Sequence, residues 1–350
     1  AMFAVRGKAL YPEMDFMFSM IREVLTTSKL DDTKRLYEII ARVRSRAQAS
    51  LASAGHSTAV LRGASYASPM AAFQDEMAGI GYYQFIEKLE KDFDSYKDEI
   101  VKNLRKVMEE VLRPENFCVS YTGERESLDV VKAQAAGIKK VLFNGQKPES
   151  VKQAPCIKKN EAFKTSGQVQ YVAQNGNFRK KGLEYTGALE ILKVILSYDY
   201  LWINLRVKGG AYGCMSGFKR NGESFLVSYR DPHLKRTLEV YQGVPDYIRA
   251  FEADEREMTK YIIGTISNKD VPRTPQMQGS ISKTAYFSNV TEDMLQKERN
   301  QILGAQKEDI QKLAALVEAV LSDDQICVVG SETAIEKAED VFMEVKPLIG

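Results

Sequence analysis

Apolar residues recur along this chain in two rhythms, and the switches between them outline its elements. Met14, Met17, Phe18, Ile21, Val24 and Leu25 keep the i, i+3, i+4, i+7 spacing of an amphipathic helix. Asp31 or Asp32 is placed to cap a second helix, whose buried stripe is Leu36, Ile39, Ile40, Val43, Ala47 and Leu51. The pattern predicts further helices over 69–89 and 96–112 before Arg113-Pro114-Glu115-Asn116 breaks it. Strand-like runs stand at Phe3-Ala4-Val5 and at 117–122, and a helix over 126–136 leads to a short apolar piece at 141–143. Residues 144–165 hold two prolines, many charges and no sustained period, which reads as a linker.

Beyond it the pattern restarts. A strand is expected at 168–172, then a long striped helix over 185–207 with Leu189, Leu192, Ile195 and Leu196 inward. Two strands, 212–218 and 224–229, flank Asn221-Gly222, a strong hairpin turn. Helices are expected over 233–251, 254–267, after Pro275, 291–303 and 307–321, then a strand at 325–329 and a terminal helix from Thr333. The halves share an order: Phe3-Ala4-Val5 answers Phe225-Leu226-Val227, and 111–120 answers 320–329, at offsets of 222 and 209 residues. The expected fold is therefore α+β, a tandem pair of similar domains, each an antiparallel or mixed sheet packed with helices. The divisions fall at 1–143, 144–165 and 166–350. The first copy lacks the strand, long helix and glycine corner that open the second, so it reads as N-terminally truncated.

Composition narrows the chemistry. Forty-nine basic against 47 acidic residues leave a net charge of +2, and the basic runs carry few interleaved aromatics, so neither nucleic acid nor a membrane is an expected partner. No apolar run approaches the ~18 residues that a membrane span needs. Cys118, Cys156, Cys214 and Cys327 lie far apart, with Cys118 and Cys327 inside apolar runs, which fits a reducing compartment without a disulfide framework. Only His56 and His233 are present, and neither stands at a metal-binding spacing, so no metal ligand is expected from this chain.

Residues 201–213, LWINLRVKGGAYG, carry the densest candidate chemistry. A helix ending at Gly209–Gly210 would leave Arg206 on its last turn and Tyr212 at the start of the next strand. A five-donor cation and a hydroxyl would then meet at one corner, with Gly209 and Gly210 keeping bulk away, an arrangement suited to the carbonyl oxygens of an extended peptide. A helix C-cap with a packed tyrosine explains the same residues equally well.

The chain resembles the C-terminal half of an insulinase/pitrilysin-family zinc metallopeptidase, in the presequence-protease branch. The resemblance rests on 160–163, 169–172, Tyr200-Leu201-Trp202, 206–213 and 228–232, with Gly55-His56, Ala59, Arg62, Ser65 and Tyr66 in the first half. It implies four similar α+β domains in two bowl-shaped halves closing around a chamber for unstructured peptides, this chain supplying the third and fourth. It implies that zinc sits on an H-x-x-E-H motif of the N-terminal half, the expected partner, and that none of its ligands is in this chain. Arg206 would hold substrate backbone, and Tyr212 would donate to the developing oxyanion. Alone, the chain would be an inactive part of a zinc metalloendopeptidase; the alternative is a separate non-catalytic subunit that binds peptides or scaffolds a complex. A bacterial cytoplasm is the expected compartment, or an organelle matrix.

Overall fold

Every strand among the described residues, 2–146 and 155–349 of the computed structural model, joins one sheet. The strands are β1 (Glu161–Thr165), β2 (Tyr171–Asn177), β3 (Gly213–Phe218), β4 (Glu223–Tyr229), β5 (Gln325–Ser331) and β6 (Glu344–Pro347). Their order is β3-β4-β2-β5-β1-β6. Antiparallel pairing joins β3 to β4, β4 to β2 and β2 to β5, whereas β5–β1 and β1–β6 are parallel. One mixed sheet with many helices makes an α+β fold.

Strand alternation builds two cores from the two faces. In β5, buried at every position, Ile326 and Val328 enter one core, Cys327 and Val329 the other. Ala162 and Phe163 in β1, and Leu226 and Val227 in β4, divide the same way. Leu189, Leu192, Ile195 and Leu196 of the helix Ala188–Tyr198, with Leu316, Val317 and Val320 of Ala314–Leu321, contribute to the first core. Against the second face lies the helix Gly55–Ser65, which the apolar pattern does not announce. Its contact stripe is Gly55, Ala59 and Gly63, four residues apart; a Cβ at Gly63 would stand 2.4 Å from Asn175 Oδ1. Small residues let this helix lie close to the sheet, and small residues leave no large-apolar period to read.

Two compact units cut across the chain order. One comprises Ala1–Val43, Glu87–Lys152 and Pro272–Val290; the other comprises Arg44–Ile86, Gln153–Val271 and Thr291–Gly350. The first has a helical core of Met14, Phe18, Leu25, Val131, Ile138 and Leu142. The expected division at 144–165 therefore does not follow the packing, since residues 44–86 cluster with the sheet. Nor is 161–165 linker: it is β1, with Glu161, Ala162 and Phe163 fully buried. Residues 147–154 of that segment lie outside the described residues.

Other expectations need correction. Residues 3–5 and 117–122 form no strand; neither finds a pairing partner among the described residues, Phe3 is exposed, and so is Cys118. The second sheet expected in a tandem pair is thus not present among them. The helix expected over 69–89 breaks at Gly79 into Pro69–Ala78 and Ile80–Lys91, because the Asp75 carboxylate turns back to accept the N–H groups of Ile80 (3.1 Å) and Gly81 (3.2 Å). Pro245 similarly divides 233–251 into Lys235–Gln242 and Val244–Arg249, since proline brings no N–H to a continuing helix. The helix after Asp254 has the reciprocal capping box with Glu257.

Candidate functional site

β3 is an edge strand, and the turn that delivers the chain to it is wound more widely than an α-helix. Ala188–Tyr198 stops at Asp199, whose ψ of −85° leaves the helical region. The chain resumes as a π turn over Trp202–Val207, so the helix expected to run unbroken to 207 ends sooner. Lys208 N–H donates to Ile203 O at 2.9 Å, the i to i−5 bond of that geometry, which recurs at functional sites. Trp202 and Arg206 share one side of this turn. The Arg206 guanidinium carbon lies 4.2 Å from the Trp202 ring centre and 5.3 Å from that of Tyr212, within cation–π range of both.

The glycines close the corner in different ways. At Gly209 a Cβ would meet Leu205 O at 2.4 Å and Asn204 O at 2.9 Å, so the turn leaves no room for one. Gly210 has φ +80°, the left-handed region that glycine takes at no steric cost. Gly210 N–H donates to Arg206 O and Ala211 N–H to Leu205 O, each at 2.9 Å. Arg206 Nη1 then reaches forward to donate to Tyr212 O at 2.5 Å. Only one of the five guanidinium N–H donors is used by this bond. Tyr212 is 63% exposed, and its hydroxyl has no hydrogen-bond partner among the described residues. The structure thus brings Arg206, Gly209, Gly210 and Tyr212 together at one corner with an open phenol and an incompletely bonded guanidinium. Cys214, two residues on, is no nucleophile at neutral pH: burial pushes its thiol up to about 11, against the opposing pull of Arg206.

The corner continues into aromatic residues to which the sequence gives no site role, although they lie in segments that carry the resemblance. Tyr212 packs edge-on to Tyr229 at 5.9 Å, and Tyr229 contacts Tyr171 at 5.5 Å and His56 at 4.9 Å. Arg230 lies over Tyr229 at 5.7 Å. Burial lowers the pKa of His56, and its Nδ1 is buried without a partner. A signal exists for Trp202, four residues before Arg206 on one helical face. For Tyr171 and His56 no local pattern gives one, because only the sheet and the helix Gly55–Ser65 bring them to Tyr229.

Arg62 and Tyr66 belong to a different constellation. Arg62 Nε and Nη2 bind the Glu161 carboxylate at 2.5 and 2.9 Å, and Nη1 binds Asp75 Oδ2 at 2.6 Å. Tyr66 donates to Glu161 Oε2 at 3.1 Å. Although burial opposes it, the Arg62 guanidinium holds the Glu161 pKa below the ordinary carboxylate value. Each charge here already has its partner, and the network locks the helix Gly55–Ser65 to β1. Among the described residues no three His, Cys, Asp or Glu side chains gather as a metal site, and no helix is long and apolar enough to cross a membrane.

Two family models match this chain: the PreP C-terminal domain over residues 160–332, and the associated domain of subfamily C of the M16 peptidases over residues 1–89. Protein HypA of Clostridium perfringens is 38% identical over 342 residues, covering 98% of this chain and 35% of that protein. Presequence protease 1, chloroplastic/mitochondrial, of Arabidopsis thaliana is 29% identical over 347 residues, covering 98% and 32%. The chain thus spans about a third of the length of these curated relatives. Among solved structures, a peptidase M16 inactive domain from Pseudomonas fluorescens aligns at TM-score 0.56 and 15% identity, covering 91% of this chain and 75% of that one. Pitrilysin aligns at TM-score 0.56 and 13% identity, covering 91% and 33%. These structural likenesses concern the fold.

Proposed function

Because the chain belongs to the presequence-protease branch of the M16 (insulinase/pitrilysin) peptidases, we propose that it is the substrate-binding C-terminal half of a metalloendopeptidase acting on unstructured peptides inside a closed chamber. The observation that carries this reading is the corner itself: an exposed phenol whose hydroxyl has no hydrogen-bond partner among the described residues, beside a guanidinium with unused donors, on a glycine turn at a sheet edge. Arg206 holds a backbone carbonyl of an extended peptide through its remaining N–H groups, and its stacking on Trp202 fixes the plane of that fork. Tyr212 donates its hydroxyl proton in a hydrogen bond to the carbonyl oxygen that gains charge during attack, a role whose loss costs about 3 kcal/mol of transition-state stabilisation. Gly209 lets the turn close and Gly210 takes the left-handed backbone that brings Arg206 and Tyr212 to one corner.

The zinc that the family implies finds no donor set among the described residues. In this proposal it is held by the H-x-x-E-H half, outside this chain, and no step of the chemistry described for this chain passes through it.

The test combines this chain with the H-x-x-E-H-bearing half and follows cleavage of a quenched fluorescent peptide, with and without chelator. Tyr212→Phe keeps the ring that Arg206 and Tyr229 touch and removes only the unpartnered hydroxyl. It is expected to lower kcat roughly 100-fold while unfolding is unchanged. Arg206→Ala is expected to lower kcat/KM by a similar factor. Parent-like turnover in both variants removes these roles.

A further inference from the structure

β4 keeps strict register as far as Tyr229, which faces Gly213 of β3, while Val227 faces Ala173 of β2. At that spacing Gln170 would face Arg230, yet it bridges Asp231, with Gln170 N–H to Asp231 O at 2.7 Å and Asp231 N–H to Gln170 O at 2.8 Å. One extra residue has entered the strand, and it is Arg230, at φ +49°. The Tyr212 N–H spans the insertion, donating to Tyr229 O at 3.0 Å and to Arg230 O at 3.3 Å. This is a β-bulge, a device that breaks the ladder locally and re-aims a side chain. Left-handed backbone suits glycine far better than arginine, so this side chain is held at a conformational cost.

The bulge aims a second cation at the corner. Arg230 is exposed, lies over Tyr229, and joins no ion pair among the described residues; nor does Arg206. Two guanidiniums without counter-charges therefore stand at the ends of one path, Arg206–Tyr212–Tyr229–Arg230, on a protein of net charge only +2. The acceptors these cations already meet are uncharged, the Tyr212 carbonyl for Arg206 and the Tyr171 phenol oxygen for Arg230. The steps of 5.9 and 5.7 Å from Tyr212 through Tyr229 to Arg230 put the two within reach of a few residues of extended chain, at most about four.

We infer that Arg230 is a specificity-determining residue that binds a carboxylate of the peptide held at Arg206 and Tyr212, within a few residues of the gripped bond. That carboxylate is an acidic side chain or the peptide's own C-terminus; a bidentate guanidinium takes either. The inference rests on the peptide-binding reading of the corner.

Four fluorescein-labelled unstructured peptides of one sequence separate the sources: Glu or Gln at one position, free acid or amide at the C-terminus. Their affinities for the chain are measured by anisotropy at low and moderate salt. Arg230→Gly removes the guanidinium and accepts φ +49° without strain, so thermal unfolding should not fall. It should weaken carboxylate-bearing peptides roughly tenfold and the Gln amide less than about twofold, with Arg230→Lys recovering part of the loss. Which pair loses its discrimination names the carboxylate. Equal weakening of all four peptides, or none, overturns the assignment, because a bulge that merely shapes the corner cannot distinguish charge. Arg206→Ala is read separately: binding unaffected by that change sinks the corner reading, whatever Arg230 does. Absence of binding of any peptide to the parent chain sinks both.

Discussion

Gly209→Ala tests the corner most directly, because the added methyl has a computable consequence. Its Cβ would stand 2.4 Å from Leu205 O and 2.9 Å from Asn204 O, both backbone atoms of the π turn. Ordinary contact begins at 3.4 Å, so Leu205 O must retreat by about 1 Å. That oxygen accepts from Ala211 N–H at 2.9 Å, the bond that positions the approach to Tyr212. Losing it costs about 1 kcal/mol, and overpacking adds about 1–3 kcal/mol, so the substitution should destabilise by about 2–4 kcal/mol. Gly210→Ala is the control. It meets only Pro232 Cγ at 3.6 Å, so its cost is the left-handed φ of +80°, about 1–2 kcal/mol. Trp202, the only tryptophan, sits in the turn under the Arg206 guanidinium, so its emission reports the corner itself. In urea, Gly209→Ala should lower the midpoint by roughly 1 M and alter native emission. Gly210→Ala should lower it less and leave native emission intact. A Gly209→Ala chain with parent-like midpoint and emission refutes the closed corner.

Further outcomes follow from the interior. Glu161→Gln breaks a buried pair with Arg62 and should cost about 3–5 kcal/mol. Since the folded-state pKa of Glu161 is depressed, its contribution is complete above the unfolded carboxylate value of about 4.3 and is lost as pH falls through the folded value. The stability gap between parent and Glu161→Gln should therefore shrink on acidification, and a gap independent of pH down to the acid transition contradicts the assignment. Thiol alkylation of the native chain should modify exposed Cys118 and spare Cys327, which is fully buried with its thiol pushed up by desolvation. Peptide mapping after labelling distinguishes them, and modification of Cys327 before unfolding means the second core is open.

Much of the chain was legible because local chemistry was strong there. The helix Met14–Thr27 shows its large-apolar stripe, Asp32 accepts from Arg35 N–H at the head of the next helix, and Asn221-Gly222 turns β3 into β4. Arg206, Gly209, Gly210 and Tyr212 were readable as one corner because seven consecutive residues carry them, so their proximity is set by the backbone alone. The π winding between Trp202 and Val207 was not, since a π turn and an α turn demand the same side chains.

What sequence determined without help, then, was the α+β character, most helices of the first half, the hairpin and the identity of the corner. Tertiary structure decided the rest. Runs at 3–5 and 117–122 have strand-like composition, but a strand exists only where another offers its N–H and C=O groups, and none does among the described residues. Glu161 and its neighbours look like charged linker until Arg62, 99 positions earlier, neutralises that carboxylate inside the sheet. His56, Tyr171 and Tyr229 meet for the same reason: contacts between distant segments are set by packing of whole faces, and no local period encodes them.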